Sequence, residues 1–76
     1  MAEAKEGRIY SHYKDSKKRY RVLHVGVVAE DDLRKVVVYE QLYSCGEFPW
    51  GTKWCRDQDS FEGTVGSSDR FLLAED

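Results

Sequence analysis

The chain has 76 residues and a formal net charge of −2, and 41% of its residues are hydrophobic, 13% aromatic and 34% charged. This size permits one domain with a small core, and the composition is too apolar for a disordered chain and too charged for a membrane protein. No apolar run approaches the roughly 20 residues of a membrane-spanning helix, and the first residues lack the apolar segment of a signal peptide. We therefore expect a monomeric protein of the cytoplasm, or a domain of a longer one, that does not contact membranes.

The first half of the chain predicts a β-hairpin. Polar and apolar residues alternate over residues 8–14 and again over 19–28, which is the pattern of two half-buried strands. Between them, the Asp-Ser-Lys-Lys segment of residues 15–18 has the side chains of a polar turn. Gly26 inside the second strand indicates a bulge or a close approach of the backbone.

The longest apolar run, residues 35–43 (Lys-Val-Val-Val-Tyr-Glu-Gln-Leu-Tyr), predicts the central strand because both of its faces are largely apolar. We expect one row of its side chains to pack into the domain, namely Val36, Val38 and Leu42. The other row contains Tyr39 and Tyr43. It should lie under the long loop of residues 44–53 or form the floor of a binding site.

The remaining segments are short. Residues 29–34 are an acidic loop or helical turn, 53–56 a strand, 57–61 a helical turn, 62–65 a strand and 70–73 a last extended piece. No interval has the apolar spacing of a helix over three turns. We therefore predict an all-β fold, a small SH3-like barrel of five or six short strands with one short helical turn near residues 57–61. Residues 1–7 should be disordered and residues 8–74 should form the single domain.

Four blocks of residues follow one another in the chain: Ile9-Tyr-Ser-His-Tyr-Lys14, Tyr20-Arg-Val-Leu23, Val37-Val-Tyr-Glu-Gln-Leu-Tyr43, and Trp54-Cys-Arg56 with Phe61 after it. In this order they resemble the bacterial family called domain of unknown function 1653, over roughly residues 7–65. The chain departs from the family pattern where Asp15 stands for a glycine and Asp57 for a proline, and in its longer 44–53 loop. The family has no established activity, so the resemblance implies a compact, mostly β fold.

The segment from His12 to Arg21 is a candidate binding surface. It holds five basic residues against one acidic residue, with Tyr13 and Tyr20 among them. Rings beside cations are typical of single-stranded nucleic-acid platforms, where rings stack on bases and cations contact phosphates. The alternative is a solvated hairpin tip whose lysines prevent edge-to-edge association, and the negative net charge favours this alternative.

Aromatic residues form a second candidate set: Tyr10, Tyr13, Tyr39, Tyr43, Trp50, Trp54 and Phe61. If several of them line one groove, they would bind a peptide, a base or a methylated amine. The alternative is that they build the core, which we favour for Tyr39, Trp54 and Phe61 because so small a domain needs large core side chains. We expect Trp50, which follows a proline in a loop, to be exposed.

Arg56 has two possible partners. It would pair with a carboxylate or phosphate of a ligand, or with Glu40 inside the domain. We favour Glu40, because a carboxylate on an otherwise apolar strand needs a partner.

The sequence contains no trustworthy catalytic motif. Cys45 and Cys55 match neither a redox nor a zinc-binding spacing, so we expect two free thiols, with a disulfide as the alternative. His12 and either thiol would make a base and a nucleophile, but nothing in the sequence brings them together. We expect no enzymatic activity, no metal and no cofactor.

We therefore predict a non-catalytic binding module that presents an aromatic and basic surface to a peptide, a nucleotide or a protein partner. Its predicted site residues are His12, Tyr13, Lys14, Tyr39, Trp50, Trp54 and Arg56. The first alternative is a domain that binds RNA or single-stranded DNA through residues 12–21. The second alternative, which we favour less, is a thiol-based enzyme.

Overall fold

The computed structural model describes residues 4–29 and 33–74, which form two antiparallel sheets and one short helix. A five-stranded sheet has the order β4-β3-β2-β1-β7, and β5 and β6 make a separate two-stranded sheet. The elements are β1 (Ile9–His12), β2 (Asp15–Val27), β3 (Lys35–Gln41), β4 (Lys53–Asp57), α1 (Gln58–Glu62), β5 (Thr64–Val65), β6 (Ser68–Asp69) and β7 (Phe71–Leu73). Within these two ranges, no helix has both the length and the apolar character needed to cross a bilayer.

The prediction of a mostly β domain with one short helical turn is confirmed, whereas the prediction of a closed barrel is wrong. β4 and β7 lie at opposite ends of the strand order, and no pairing between described residues joins them. The chain turns from β4 directly into α1, which packs Phe61 against Tyr39 of β3, so a helix covers this face of the sheet where a barrel would have its opposite wall. An SH3-like arrangement of the strands stays a prediction.

The hairpin between β1 and β2 is tighter than the sequence indicated. β2 begins at Asp15, so the turn consists of Tyr13 and Lys14, and the predicted turn residues 15–18 belong to the strand. Asp15 still makes a local hydrogen bond, because its Oδ1 accepts from the backbone N–H of Lys17 at 2.9 Å. The short turn puts Tyr13 and Lys14 at the end of the sheet, next to His12.

β2 has a bulge at Leu23, where its register against β3 shifts. One extra residue reverses the alternation of side chains, so Val22 and Val25 both contribute to the core. Gly26, where the sequence indicated a bulge or a close backbone approach, pairs regularly with Val36 and has open space around it.

The core lies on the Tyr39 face of the large sheet. Val37, Tyr39 and Gln41 of β3 are buried, whereas Val36 and Val38 are only half-buried. The prediction that the row with Val36 packs into the domain is therefore wrong. Rings from α1 and β7 pack on the opposite row, and rings bury more apolar surface than valines do. The buried hydrophobic residues are Ala4, Tyr10, Tyr20, Val22, Val37, Tyr39, Phe61 and Phe71.

The segment from Ala4 to Gly7 is held against the domain. Ala4 is buried and its N–H donates to Glu62 Oε2 at 2.9 Å, and the N–H of Gly7 donates to the carbonyl of Val22 at 2.8 Å. The sequence predicted disorder for residues 1–7. Residues 1–3 lie outside the described residues, and the rest of that segment makes these contacts.

Candidate functional site

A cleft of about 220 Å³ lies on the core face of the large sheet, and every strand of that sheet contributes to it. Its lining residues are His12, Tyr20, Tyr39, Trp54, Arg56 and Phe71. The volume is below the roughly 300–1,000 Å³ of pockets that hold drug-sized ligands. The cleft is therefore suited to a small group, such as one base or one or two side chains.

Strand register explains why these side chains meet. Tyr39 pairs with Trp54 between β3 and β4, and His12 pairs with Phe71 between β1 and β7. Residues directly opposite one another in an antiparallel pair share a face. Arg56 follows Trp54 by two residues in β4 and therefore points the same way.

Arg56 brings a positive charge into the cleft. Its Nη1 donates to Ser60 Oγ at 3.1 Å, its Nε lies 3.4 Å from the Tyr39 hydroxyl, and its guanidinium carbon lies 5.8 Å from the centre of the Phe71 ring. No carboxylate among the described residues pairs with it. A half-buried guanidinium without a carboxylate partner is suited to pair with an anionic group of a ligand.

The predicted salt bridge between Arg56 and Glu40 is wrong. Glu40 belongs to the other row of β3 and points to the opposite face of the sheet, where its Oε2 lies 3.7 Å from Arg21 Nη1. The Glu40 carboxylate does have a basic partner, as its place on an apolar strand required. That partner is Arg21, which lies opposite Glu40 on the neighbouring strand β2.

His12 is neutral at physiological pH and lies among cations. Burial lowers the pKa of His12 below 6.5, and the positive charges of Lys18, Lys14, Arg56 and Arg70 lower it further. Its Nδ1 accepts a hydrogen bond from the backbone N–H of Lys14 at 3.1 Å, so the neutral ring carries its proton on Nε2. No described residue bonds with Nε2, which leaves one donor for a ligand.

Tyr20 contributes a rigid wall. Its hydroxyl lies 2.6 Å from that of Tyr43, and its ring meets those of Tyr39 and Phe71 edge to face at 5.3 and 5.7 Å between centroids. Burial, followed by the hydrogen bond with Tyr43, raises the pKa of Tyr20 well above its usual 10. The hydroxyl therefore stays protonated throughout the physiological range.

Gln41 fixes the loop that borders the cleft. Its buried side chain donates from Nε2 to the carbonyls of Tyr43 and Phe48, both at 2.8 Å, and its Oε1 accepts from Trp54 Nε1 at 3.1 Å. The ring of Phe48 packs on that of Trp54 at 4.9 Å. The loop thus covers the Gln41 end of the Tyr39 row, while Tyr39 itself lines the cleft.

The cleft brings together four of the seven predicted site residues, namely His12, Tyr39, Trp54 and Arg56. Tyr13 and Lys14 lie beside it: the Tyr13 ring stacks on His12 at 4.9 Å, and Lys14 Nζ lies 5.7 Å from the centre of the Tyr13 ring. Trp50 is 65% exposed and does not line the cleft.

Tyr20 and Phe71 also line the cleft but were not among the predicted site residues. Tyr20 was noticed only as an aromatic residue of the basic hairpin. Phe71 belongs to a three-residue strand that contains no motif. The one feature of the sequence that could have indicated its role is a large ring in a short extended segment. Its place opposite His12 depends on strand pairing across most of the chain.

Two other features contribute little to a site. Cys45 and Cys55 are free, as the sequence predicted; both are exposed, and neither lines the cleft. In the described part of the chain, no three His, Cys, Asp or Glu side chains cluster as metal ligands would.

A larger cavity of about 440 Å³ is lined by Leu33, Arg34, Lys35, Asp57, Asp59 and Ser60. Charges of both signs line it, and Arg34 Nε lies 3.6 Å from Asp57 Oδ1, with both side chains about half exposed. It offers a ligand neither an aromatic wall nor a single sign of charge.

The fold and the cleft define a small, mostly β domain with an aromatic and basic recess on one face of an open sheet. A family model described as a protein of unknown function, DUF1653, matches residues 8–71, which is most of the chain. The chain therefore belongs to that family, as the four blocks of residues indicated. No curated protein and no solved structure matches the chain significantly.

Proposed function

We propose that this protein is a non-catalytic binding module whose cleft takes a planar group that carries a negative charge, from a peptide, a nucleotide or a protein partner. The observation that supports this most directly is Arg56. Its guanidinium lines the cleft together with five aromatic rings and has no carboxylate partner in the described ranges. Aromatic walls contact a flat ligand, and the guanidinium pairs with its charge.

The charge around the cleft argues against a cationic ligand such as a methylated amine. Aromatic cages bind quaternary ammonium groups, and rings alone would permit that here. However, Lys14, Lys18, Arg56 and Arg70 are all close enough to His12 to lower its pKa. Four positive charges repel a cation and attract an anion.

Small probes of matched shape test this proposal. Phenyl phosphate and phenyltrimethylammonium each carry one ring and opposite charges, and each is titrated into the protein while amide and Trp Nε1–H resonances are recorded. We expect phenyl phosphate to shift the signals of Trp54, Arg56 and His12, and the ammonium probe to leave them in place. A bound anion favours protonated His12, so binding of phenyl phosphate should raise the pKa of His12.

Two Arg56 variants provide the control. Arg56→Gln should weaken phenyl phosphate binding at least about tenfold, since a hydrogen bond to a charged group contributes roughly 1.5–3 kcal/mol. Arg56→Lys keeps the charge and should retain part of the affinity. Trp50→Ala, outside the cleft, should bind as the wild type does. Equal binding of both probes, or shifts scattered away from the cleft, would refute the proposal.

A second candidate function, binding of RNA or single-stranded DNA, has its own support. The stacked rings of His12 and Tyr13 and the ammonium group of Lys14 lie at the hairpin tip beside the cleft. An oligothymidylate bound there would contact Lys14 and Lys18, and its affinity would fall steeply as salt rises. Affinity that does not respond to salt, or to Lys14→Gln with Lys18→Gln, would exclude this candidate.

A further inference from the structure

β4 is a free edge of the sheet, and the hydrogen bonds of β3 show which of its backbone groups face outward. The N–H of Gln41 donates to the carbonyl of Thr52 at 2.8 Å, so this pair is a hydrogen-bonded one. In an antiparallel ladder such pairs alternate with non-hydrogen-bonded ones. Trp54 and Arg56 therefore bond to β3, while Lys53 and Cys55 direct their N–H and carbonyl groups away from it.

These outward groups have no backbone partner in the described part of the chain, and Lys53 and Cys55 are exposed. Side chains alternate along the same strand, so Trp54 and Arg56 point into the cleft. One strand thus combines an open backbone edge with two side chains of the candidate site. β7, at the other edge, has three residues and contributes only Phe71 to the cleft.

We propose that the partner is an extended peptide segment that adds to β4 as a sixth, antiparallel strand and places an acidic and an aromatic side chain in the cleft. This rests on the binding function proposed for the cleft and names the partner of that same site. An added strand would bond with Cys55 and Lys53 through its backbone, as edge-binding peptides do. Every pairing within the existing sheet is antiparallel, and antiparallel pairing is slightly more stable per residue.

The register of such a strand specifies the order of its side chains. Peptide residues opposite Arg56 and Trp54 would form non-hydrogen-bonded pairs with them, in which facing side chains are closest. A carboxylate suits the position opposite Arg56, which lacks an acidic partner among the described residues. A ring suits the position opposite Trp54, against which Phe48 already packs. Because the strands run in opposite directions, the peptide reads Glu-x-Phe from its N-terminus.

A nucleic acid is a poorer occupant of this edge. It would use the cations and rings but not the backbone groups of Cys55 and Lys53. The formal net charge of −2 also opposes a polyanion more than it opposes a short peptide with one carboxylate.

Backbone methylation of the peptide is the direct test. The probe is the capped peptide Thr-Thr-Glu-Thr-Phe-Thr-Thr, and its affinity is measured by amide titration of the intact protein. The N–H of the Thr between Glu and Phe would donate to the carbonyl of Cys55, whereas the N–H of Glu points away from β4. Methylation of that Thr nitrogen should weaken binding about tenfold or more, and methylation of the Glu nitrogen should leave it unchanged.

Protein variants supply the reciprocal test. Cys55→Pro removes the outward N–H without removing a bond to β3, a position at which edge strands tolerate proline. It should weaken peptide binding by a similar factor, whereas Cys55→Ala should bind as the wild type does. Replacement of the peptide Glu by Lys, or reversal to Phe-x-Glu, should abolish binding. If Cys55→Pro does not fold, the methylated peptides still decide the question.

The outcomes separate this inference from the function on which it rests. A peptide that binds with equal affinity whichever nitrogen is methylated would overturn strand addition and leave the cleft function standing. Failure of both the peptide and phenyl phosphate would overturn the two together. Phenyl phosphate and oligothymidylate binding without any peptide binding would overturn strand addition in favour of a nucleic-acid ligand.

Discussion

Gln41 is the residue on which the loop beside the cleft depends. It is 2% exposed, and its amide satisfies two loop carbonyls and the indole N–H of Trp54. Buried polar atoms that lose their partners are costly, whereas paired ones contribute modestly. The stability of the loop therefore rests on one side chain with three hydrogen bonds.

Gln41→Leu keeps the size of the side chain and removes all three bonds. We expect it to lower the free energy of unfolding by about 2–4 kcal/mol, because the carbonyls of Tyr43 and Phe48 and the N–H of Trp54 lose their partner. Urea denaturation followed by circular dichroism measures the loss. Gln58→Leu is the matched control, since Gln58 makes one side-chain bond, to Glu62 four residues further along α1, and it should cost about 0.5 kcal/mol or less. Equal losses in the two variants would contradict the role of Gln41.

The environment of a single residue was predictable from the sequence only where neighbouring residues in the chain determine it. Trp50 is exposed, as a ring after a proline in a loop should be, and the two thiols are free. The partners of Arg56 and Gln41 were not predictable. Arg56 contacts Ser60 in α1, and Gln41 contacts a loop, so their partners depend on how separate segments pack.

At the level of elements, the sequence located β3 but not its inner face. Both rows of that strand are largely apolar, so its own residues do not decide between them. The choice is made by α1 and β7, which bring Phe61 and Phe71 onto the Tyr39 face. The hairpin turn was displaced for a related reason: Asp15 and Lys17 have turn chemistry, but pairing of His12 with Asp15 closes the hairpin earlier.

Two glycines should respond in opposite ways to alanine because of what surrounds them. A Cβ on Gly63, just after α1, would lie 2.9 Å from the carbonyl oxygen of Asp59, whereas a Cβ on Gly26 in β2 would have open space. Gly63→Ala should therefore destabilise the protein by about 1–3 kcal/mol. Gly26→Ala should stabilise it by about 0.4–1 kcal/mol, because the unfolded chain loses freedom.

Thermal unfolding distinguishes the two glycine variants. In a domain of this size, 1 kcal/mol shifts the Tm by roughly 4–8 °C. We expect a lower Tm for Gly63→Ala and a higher one for Gly26→Ala. A Tm that falls equally in both would show that the close approach at the end of α1 is not what requires glycine there.

Across the whole molecule, the core and the candidate site share the same rings. The sequence left open whether the aromatic residues form the core or a binding surface. Tyr39 belongs to both, because it is 5% exposed and also lines the cleft. Tyr20 and Phe71 do the same. A domain with so few residues builds one cluster of rings and exposes its rim. The sequence could not show this, because the same ring is buried on one side and lines the cleft on the other.

Phe61 offers a way to separate stability from binding, because it belongs to the core but not to the cleft. It is fully buried, its ring stacks on Phe71 at 4.3 Å between centroids, and it meets Tyr10 and Tyr39 at 5.4 Å each. Phe61→Ala should cost about 3–5 kcal/mol. A chain of 76 residues has roughly 4–11 kcal/mol of total stability, so this variant should be close to unfolding.

Urea denaturation followed by circular dichroism tests this expectation, with Trp50→Ala as the control. Trp50 is as large but mostly exposed, and its removal should change the free energy of unfolding by no more than about 0.5 kcal/mol. The midpoint of Phe61→Ala should fall sharply while its slope stays near that of the wild type, because the same surface is exposed on unfolding. Its folded fraction should still bind phenyl phosphate, since Arg56 and Trp54 remain. Similar midpoints for the two variants would mean that α1 is not part of the cooperative core.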